Sequence, residues 1–149
     1  MQKIIIILFI IFFNLTEYSH SKDEYFRTLR NDKVNLRQGP SFDYPIKIFY
    51  KKKFLPVIVQ DSSNNFRKIR DHENNSGWIH ISQLSKKKAA IITGSNLILF
   101  KNATIYSNPV AILEEGRLVK ITKCKGSWCK VKSGNFTGWV KNETLWGLF

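Results

Sequence analysis

Cysteine and histidine are the residues of this chain best suited to chemistry, and their spacing restricts what they could do. Cys124 and Cys129 stand close together in a chain that has no other cysteine. A zinc site would need two further ligands, and His72 and His80 are too far away in sequence to suggest ligation. The same separation argues against a cysteine peptidase, which needs a histidine beside its nucleophile. We therefore predict a disulfide between the two cysteines.

The carboxylates provide no better candidate for catalysis. Asp and Glu are sparse, and Glu114 and Glu115 would point to opposite faces of an extended segment. The sequence has no glycine-rich phosphate loop and no metal-ligand spacing. We therefore expect no catalytic residue, no metal and no cofactor, and we interpret the chain as a non-enzymatic protein.

The first residues have the layout of a secretory signal peptide. A single lysine, Lys3, precedes an apolar run from Ile4 to Phe13, and a polar stretch then ends at Ser21. Cleavage is predicted after Ser21, so that residues 1–21 form the leader. A retained membrane anchor is the alternative, but as a helix the run would reach only about 15 Å, half of a bilayer core. The protein is expected to be exported to the periplasm or cell envelope.

The chain is strongly basic, with 24 Lys and Arg, 11 Asp and Glu, and a net charge of +13. The excess is spread along it: residues 22–88 hold 15 basic and 7 acidic side chains, and residues 89–149 hold 8 and 3. Such a surface concentrates polyanions. In an exported protein these are cell-wall polymers, anionic lipid head groups or acidic proteins rather than nucleic acid. Solubility alone is the alternative explanation.

The sequence contains one unit twice. GWIHISQL, which begins at Gly77, returns as GWVKNETL, which begins at Gly138. An aromatic residue and apolar segments precede both of these motifs at similar spacing. The matched segments are FLPVIV (54–59) with RLVKIT (117–122), Phe66 with Trp128, and VNLRQGP (34–40) with ATIYSNP (103–109). We therefore predict two domains after the leader, residues 22–88 and 89–149.

Each copy has the pattern of about five short strands, separated by Gly, Pro, Asn, Asp and Ser. CKGSWC (124–129) is expected to be a hairpin turn that places the two cysteines opposite each other. Helical periodicity is missing apart from single turns near the end of each copy. Strands this short are expected to close on themselves and so avoid bare edges. The predicted fold is all-β, with two small β-barrels in tandem.

Six residues of the repeated unit are predicted to be structural. They are Gly77 and Gly138, Trp78 and Trp139, and Leu84 and Leu145. The tryptophans would fill the centre of each barrel, the glycines would let the preceding hairpin turn tightly, and the leucines would plug the barrel end.

With these residues laid out, the chain resembles the bacterial SH3-like proteins, and in particular an exported subgroup with two such domains in tandem. The resemblance rests on VNLRQGPSFDYPI (34–46), GWIHISQL (77–84), Trp128-Cys129 and the terminal Leu145-Trp146-Gly147. It implies SH3-like barrels and a binding module of the cell envelope, because relatives are often attached to peptidoglycan hydrolases. IYSNPVAI (105–112) lacks the Gly-Pro-Ser turn and the following tyrosine, and its loop is expected to be shorter.

A ligand site is predicted on the long loop after the first strand of the first copy. Arg37, Phe42 and Tyr44 lie on that loop, and Tyr50 lies at the strand end beyond it. Aromatic faces can stack on sugar rings, and arginine can neutralise the carboxylates of peptide stems or acidic partners. The alternative is that Tyr44 and Pro45 merely pack the loop against the barrel. Polyproline recognition is disfavoured, because it uses an acidic patch where this region is basic.

Two basic runs, Lys51-Lys52-Lys53 and Lys86-Lys87-Lys88, fall at a turn and at the junction between the copies. They are either solvated turn residues or a weak contact to anionic lipid or wall polymer. The junction itself, KKKAAIITGSN (86–96), has an apolar centre. It is predicted to add an edge strand or to pack between the barrels, which would make one rigid body.

These features favour an exported, non-catalytic module that binds a cell-envelope ligand, with peptidoglycan as the first candidate. The alternative is a periplasmic adaptor that binds another protein through an exposed barrel groove. Nucleic-acid binding has the basic charge in its favour and the export signal against it.

Overall fold

The computed structural model describes residues 23–148, and the predicted leader, residues 1–21, lies outside the described residues. The strands of the first half are β1 (Tyr25–Leu29), β2 (Val34–Arg37), β3 (Ile46–Tyr50), β4 (Pro56–Ser63), β5 (Phe66–Arg70), β6 (Ser76–His80) and β7 (Leu84–Ser85). Those of the second half are β8 (Ala89–Ile92), β9 (Leu97–Phe100), β10 (Pro109–Leu113), β11 (Leu118–Lys125), β12 (Trp128–Ser133), β13 (Phe136–Lys141) and β14 (Leu145–Trp146). Two 3₁₀ turns, Ile81–Gln83 and Asn142–Thr144, precede β7 and β14. None of the helices in this range is long and apolar enough to span a membrane.

The strands form two antiparallel sheets, one from each half of the chain. The first has the order β3-β2-β6-β5-β4-β1-β7, and the order of the second, β10-β9-β13-β12-β11-β8-β14, repeats it position by position. The predicted all-β fold with two tandem units is confirmed. The prediction that each sheet closes into a barrel is wrong for the described strands, because no ladder joins β3 to β7 or β10 to β14. The outer strands are short or bulged, so they avoid long bare edges without closing.

The ladders correct the predicted alignment of the two copies. Arg37 of β2 lies opposite Trp78, and Phe100 of β9 lies opposite Trp139. Strand β2 therefore corresponds to β9, and not to the ATIYSNP segment (103–109) that the spacing suggested. That segment lies mostly in the loop after β9, where its similarity to VNLRQGP has no structural counterpart.

The two loops that follow these strands have the same length. Residues 38–45 join β2 to β3, and residues 101–108 join β9 to β10. In each loop the amide of the first residue donates to the carbonyl of the last, at 3.0 Å in the first copy and 2.9 Å in the second. The expectation of a shorter second loop is wrong, because it followed from the shifted alignment.

Each sheet has its own core of buried apolar side chains. The first core contains Leu29, Val34, Leu36, Tyr50, Leu55, Val57, Val59, Ile69, Ile79, Leu84 and Ile91. The second contains Ala90, Ile92, Leu99, Leu113, Val119, Cys129, Val131, Val140 and Leu145. Leu84 and Leu145 are buried just after the two 3₁₀ turns, at equivalent places in the repeat.

Trp78 and Trp139 do not fill the cores. Both are half-buried, whereas their neighbours Ile79 and Val140 are fully buried. Successive side chains of a strand point to opposite faces, so an inward Ile79 requires an outward Trp78. The central packing predicted for both tryptophans is therefore wrong, and their rings belong to the outer face of each sheet.

The glycines before these tryptophans serve a close approach between strands rather than a tight turn. Gly77 and Gly138 lie within β6 and β13, and neither has a positive φ. A Cβ on Gly77 would lie 2.6 Å from the carbonyl oxygen of Arg37, and one on Gly138 would lie 2.6 Å from that of Phe100. The predicted role of these glycines in a tight turn is therefore wrong. They are needed because a side chain at either position would collide with the backbone of β2 or β9.

The predicted disulfide is confirmed. Cys124 and Cys129 lie directly opposite each other on β11 and β12, with their Cα atoms 4.0 Å apart. Gly126 in the intervening turn has a φ of 55°, a conformation that glycine adopts without strain. The bond therefore ties together the two ends of a hairpin loop.

Reduction of this disulfide is expected to lower the free energy of unfolding by about 2 kcal/mol, because the open loop regains chain entropy in the unfolded state. Urea unfolding with and without a thiol reductant measures the change. A variant with serine at Cys124 and Cys129 should be insensitive to reductant. Equal urea midpoints for oxidised and reduced wild-type protein would contradict the prediction.

The junction between the copies packs against both sheets. All four residues of Ala89–Ile92 are buried, and they form β8 inside the second sheet rather than at its edge. Ile91 also belongs to the first core, against which Leu118 and Trp146 pack. Trp146 meets Phe26 edge-on, with ring centroids 5.0 Å apart. Apolar side chains from both halves therefore meet at one seam.

Candidate functional site

The loop at residues 38–45 is held in place by Arg37, the last residue of β2. One guanidinium nitrogen, Nη1, donates to the carbonyl of Phe42 at 3.0 Å and to that of Tyr44 at 2.8 Å. Ser41 adds a local turn, because its Oγ accepts from the amide of Asp43 at 3.0 Å and donates to the Asp43 carboxylate. The positive charge predicted to bind a ligand therefore also fixes the shape of the loop.

Phe42 forms the centre of a surface aromatic cluster with Phe66 and His80. Its ring lies 5.2 Å from the Phe66 ring and 5.3 Å from the His80 ring, and those two rings are 5.2 Å apart. The Arg37 guanidinium carbon is 5.5 Å from the Phe42 ring centroid. Phe66 is buried beneath, yet 61% of Phe42 remains exposed. The cluster therefore presents one aromatic face to solvent.

Tyr44 packs against the loop and remains partly exposed. Its ring lies against Gly39, where a Cβ would come within 2.5 Å of the ring carbons. The side chain is nevertheless 47% exposed. Tyr44 thus packs the loop and still contributes surface beside Phe42.

The outer face of the sheet continues this surface. Arg37, Trp78 and Lys68 are neighbours in register across β2, β6 and β5. Phe66 lies opposite His80 two residue pairs further along the β5–β6 ladder. The His80 ring is fixed by Ser82, whose amide donates to Nδ1 at 3.3 Å. Sequence reasoning missed Trp78 and His80 as residues of the outer face, and it missed Phe66 as the buried ring beneath Phe42. The available signal was the alternation in GWIHI, where Trp78 and His80 share one face and Gly77 and Ile79 the other.

Tyr50 is not part of this surface, and its predicted ligand role is wrong. It is only 8% exposed and belongs to the first core. Its hydroxyl donates to Oδ2 of Asp71 at 2.8 Å. Burial, followed by this hydrogen bond and the nearby charges of Asp71 and Glu73, raises the pKa of Tyr50 well above its ordinary value. The phenol therefore stays neutral and structural.

The second copy presents different chemistry at equivalent positions. Phe100 stands where the first copy has Arg37, and its ring meets Trp128 at 5.8 Å. The 101–108 loop exposes Ile105 and Tyr106 instead of Phe42. The two loops share a backbone closure, but only the first carries the arginine that ties down its exposed aromatic ring.

The two lysine runs meet beside one aromatic ring. Lys51, Lys52 and Lys53, like Lys86, Lys87 and Lys88, are exposed. The ammonium groups of Lys53, Lys87 and Lys120 lie 5.4, 5.5 and 4.8 Å from the centroid of the Phe54 ring. Phe54 itself has a φ of 65°, which is uncommon for a residue with a bulky side chain. The runs thus contribute to a single basic region near the seam.

Within residues 23–148, no group of three or more His, Cys, Asp or Glu side chains is placed to hold a metal ion. The loop, the aromatic cluster and the arginine together form one partly exposed surface of the first sheet. Its chemistry is that of stacking and charge pairing.

The sequence profile of the family described as bacterial SH3 domain matches this chain twice, at residues 30–86 and 94–147. The chain belongs to the bacterial SH3 domain family. Each match coincides with most of one sheet, so the repeat is a tandem pair of bacterial SH3 domains. The predicted resemblance to tandem bacterial SH3-like proteins is confirmed.

Solved structures similar to this bacterial SH3 protein share little sequence with it. NlpC2 from Trichomonas vaginalis has a TM-score of 0.38 and 11% identity, with 83% of this chain and 48% of that chain covered. NlpC1 from the same organism has a TM-score of 0.37 and 12% identity, with 85% of this chain and 47% of that chain covered. An NlpC/P60 family protein from Bacillus cereus ATCC 10987 has a TM-score of 0.37 and 10% identity, with 83% of this chain and 57% of that chain covered. The chain thus spans about half the length of these structures, and no curated protein matches it.

Proposed function

We propose that this bacterial SH3 protein is an exported, non-catalytic module that binds peptidoglycan through the loop at 38–45 and the aromatic cluster. The observation that carries the proposal is Phe42, an exposed ring on a loop that Arg37 holds with two hydrogen bonds. A preorganised aromatic face suits the apolar face of a sugar ring, and ordering it in advance lowers the entropy cost of binding. The remaining charge of Arg37 and Lys68 suits the carboxylates of stem peptides.

Export is proposed from the predicted leader at residues 1–21, and the Cys124–Cys129 disulfide agrees with an oxidising compartment. The domain limits proposed from the sequence are 22–88 and 89–149, and the aromatic cluster lies entirely in the first. We propose that nucleic acid is not a partner of this protein and that the protein catalyses no reaction itself.

A periplasmic protein adaptor is the second candidate, and one observation favours it. Ile98 and Ile112 lie opposite each other on β9 and β10, and both are exposed, Ile112 to 66%. Strand β10 is the outer strand of its sheet. An apolar pair on an outer strand is a suitable contact for another protein.

Co-sedimentation with purified, protein-free cell-wall sacculi tests the first candidate. The wild-type protein is expected to pellet, and Phe42→Ala should weaken the affinity about tenfold, or about 1.4 kcal/mol. Ile105→Ala is the matched control, because Ile105 occupies the similarly exposed loop position of the second copy and should leave binding unchanged. Failure of the wild type to pellet would favour the adaptor, and full binding by Phe42→Ala would remove the proposed site.

A further inference from the structure

An arginine-rich groove lies beside β1 and β7, apart from the aromatic cluster. It has a volume of about 480 Å³ and is lined by Arg27, Arg30, Arg67 and Lys86 together with Tyr25, Ile81, Leu84 and Ser85. No carboxylate is among its described lining residues. Four cations around one depression repel one another, so the groove is electrostatically suited to an anion.

A second depression, of about 210 Å³, extends this groove towards the seam between the two sheets. It shares Tyr25, Arg27 and Lys86 with the first and adds Lys87 and Lys88. Gly147 and Leu148, at the end of the second copy, form part of its wall. The two depressions are therefore adjacent, and together we call them the basic groove, defined by Arg27, Arg30, Arg67, Lys86, Lys87 and Lys88.

The arginines of the basic groove are positioned without using up their hydrogen-bonding capacity. Arg27 lies 4.4 Å from the Tyr25 ring and donates from Nη1 to the carbonyl of Phe26 at 2.9 Å. Arg30 donates from Nε to the carbonyl of Leu84 at 3.1 Å. A guanidinium has five N–H donors, so several on each remain available to an oxyanion.

Arg67 marks the end of the basic groove. Its Nη1 donates to the carbonyls of Asn64 and Phe66, at 3.0 and 2.8 Å. Asp23 and Asp61 line an adjoining depression that also reaches Arg67 and Tyr25. Two carboxylates therefore lie next to the basic groove, beside Arg67 and Tyr25, while the cations of the groove extend from Arg67 to Lys88.

We propose that the basic groove binds a linear polymer that carries repeated oxyanions, phosphate or carboxylate. Six cations spread over two adjacent depressions fit a chain of charges better than a single small ion. Its concave shape also suits an extended polymer better than the flat surface of a bilayer. This site shares no lining residue with the loop at 38–45 or the aromatic cluster, so it stands independently of the function proposed above.

Fluorescence anisotropy with labelled long-chain polyphosphate and labelled poly-glutamate tests the proposal and separates the two oxyanions. The wild-type chain is expected to bind at least one of them at low salt. A variant with glutamine at Arg27, Arg30 and Arg67 should bind at least about tenfold more weakly, since charge-assisted hydrogen bonds are lost. A second variant, with glutamine at Lys86, Lys87 and Lys88, changes only exposed side chains and should also lose affinity.

The matched control replaces Lys101, Lys125 and Lys132 by glutamine. These side chains are exposed in the second copy, so the net charge falls equally without touching the basic groove. The control variant and Phe42→Ala should both bind the polymer as the wild type does. Equal weakening by the control and groove variants, or no binding of either polymer by the wild type, would overturn the proposal. So would groove-dependent binding to phosphatidylglycerol vesicles in place of the polymers, which would identify a lipid surface instead.

Discussion

Replacing Gly77 by alanine is expected to destabilise the protein by about 1–3 kcal/mol, the range for forcing an extra methyl group into a filled site. The new Cβ would lie 2.6 Å from the carbonyl oxygen of Arg37 and 2.8 Å from Cγ of Leu36. A backbone carbonyl cannot rotate away as a side-chain tip can, so β2 itself must shift. Because β2 carries Arg37, the loop at 38–45 should loosen as well. Urea unfolding followed by tryptophan fluorescence measures the loss of stability.

The repeat supplies two comparisons for this variant. Gly138→Ala meets the equivalent contacts in the second copy, 2.6 Å from the Phe100 carbonyl and 2.7 Å from Cγ of Leu99, and should destabilise similarly. It should leave sacculus binding intact, whereas Gly77→Ala should weaken it. Gly94→Ala is the control, because no atom lies within 4 Å of its added Cβ. If Gly77→Ala were as stable as Gly94→Ala, the close approach of β2 to β6 would be refuted.

The strands were predictable because local signals and packing agree. Alternation and turn residues place the two units correctly, and the cysteine hairpin follows from CKGSWC because two closely spaced cysteines can pair across a tight turn. The face of the tryptophan strand was not predictable from side-chain size. In GWIHI either Trp78 with His80 or Gly77 with Ile79 can face inward, and burial alone favours the larger ring. The approach of β2 decides the outcome, since only glycine leaves room for it.

Only those residues of the candidate site that lie close together in the sequence were predictable. Arg37, Phe42 and Tyr44 lie within eight residues and share one motif, and the structure brings them together. Phe66 and His80 come from other strands, and their contacts with Phe42 depend on the register of β5 with β6. The register of two strands cannot be read from the sequence pattern of either strand alone. The same limit explains why the arginines of the basic groove were not predicted to lie beside the Lys86–Lys88 run, which the sequence did single out.

The two copies retain a common framework but differ in their polar parts. Tyr50 and Leu113 hold equivalent positions, each opposite the first residue of the neighbouring strand. The tyrosine brings a hydroxyl into the first core, and Asp71 accepts its hydrogen bond. The second copy has an apolar leucine at that place and a disulfide in another hairpin. Each copy is therefore stabilised by a different additional link.

Asp71→Ala is expected to lower the free energy of unfolding by about 3 kcal/mol, because four hydrogen bonds, one buried and three partly buried, lose their acceptor. Asp71 is only 1% exposed. Its carboxylate accepts from the amides of Glu73 and Asn75 at 3.0 and 2.8 Å, from the Asn75 side chain at 2.9 Å, and from the Tyr50 hydroxyl at 2.8 Å. Denaturant unfolding measures the loss. Tyr50→Phe removes only one of these bonds and should cost about 1 kcal/mol; equal costs for the two variants would contradict the network.

Tyr50 should also make stability depend on alkaline pH. Its raised pKa means that the folded state favours the neutral phenol, first through burial and then through the bond to Asp71. This contribution is complete below the pKa of an unfolded tyrosine, about 10, and is lost as the pH rises above it. The stability advantage of the wild type over Tyr50→Phe should therefore shrink above about pH 10. An effect of Tyr50→Phe that stays the same from neutral pH to above pH 10 would contradict this prediction.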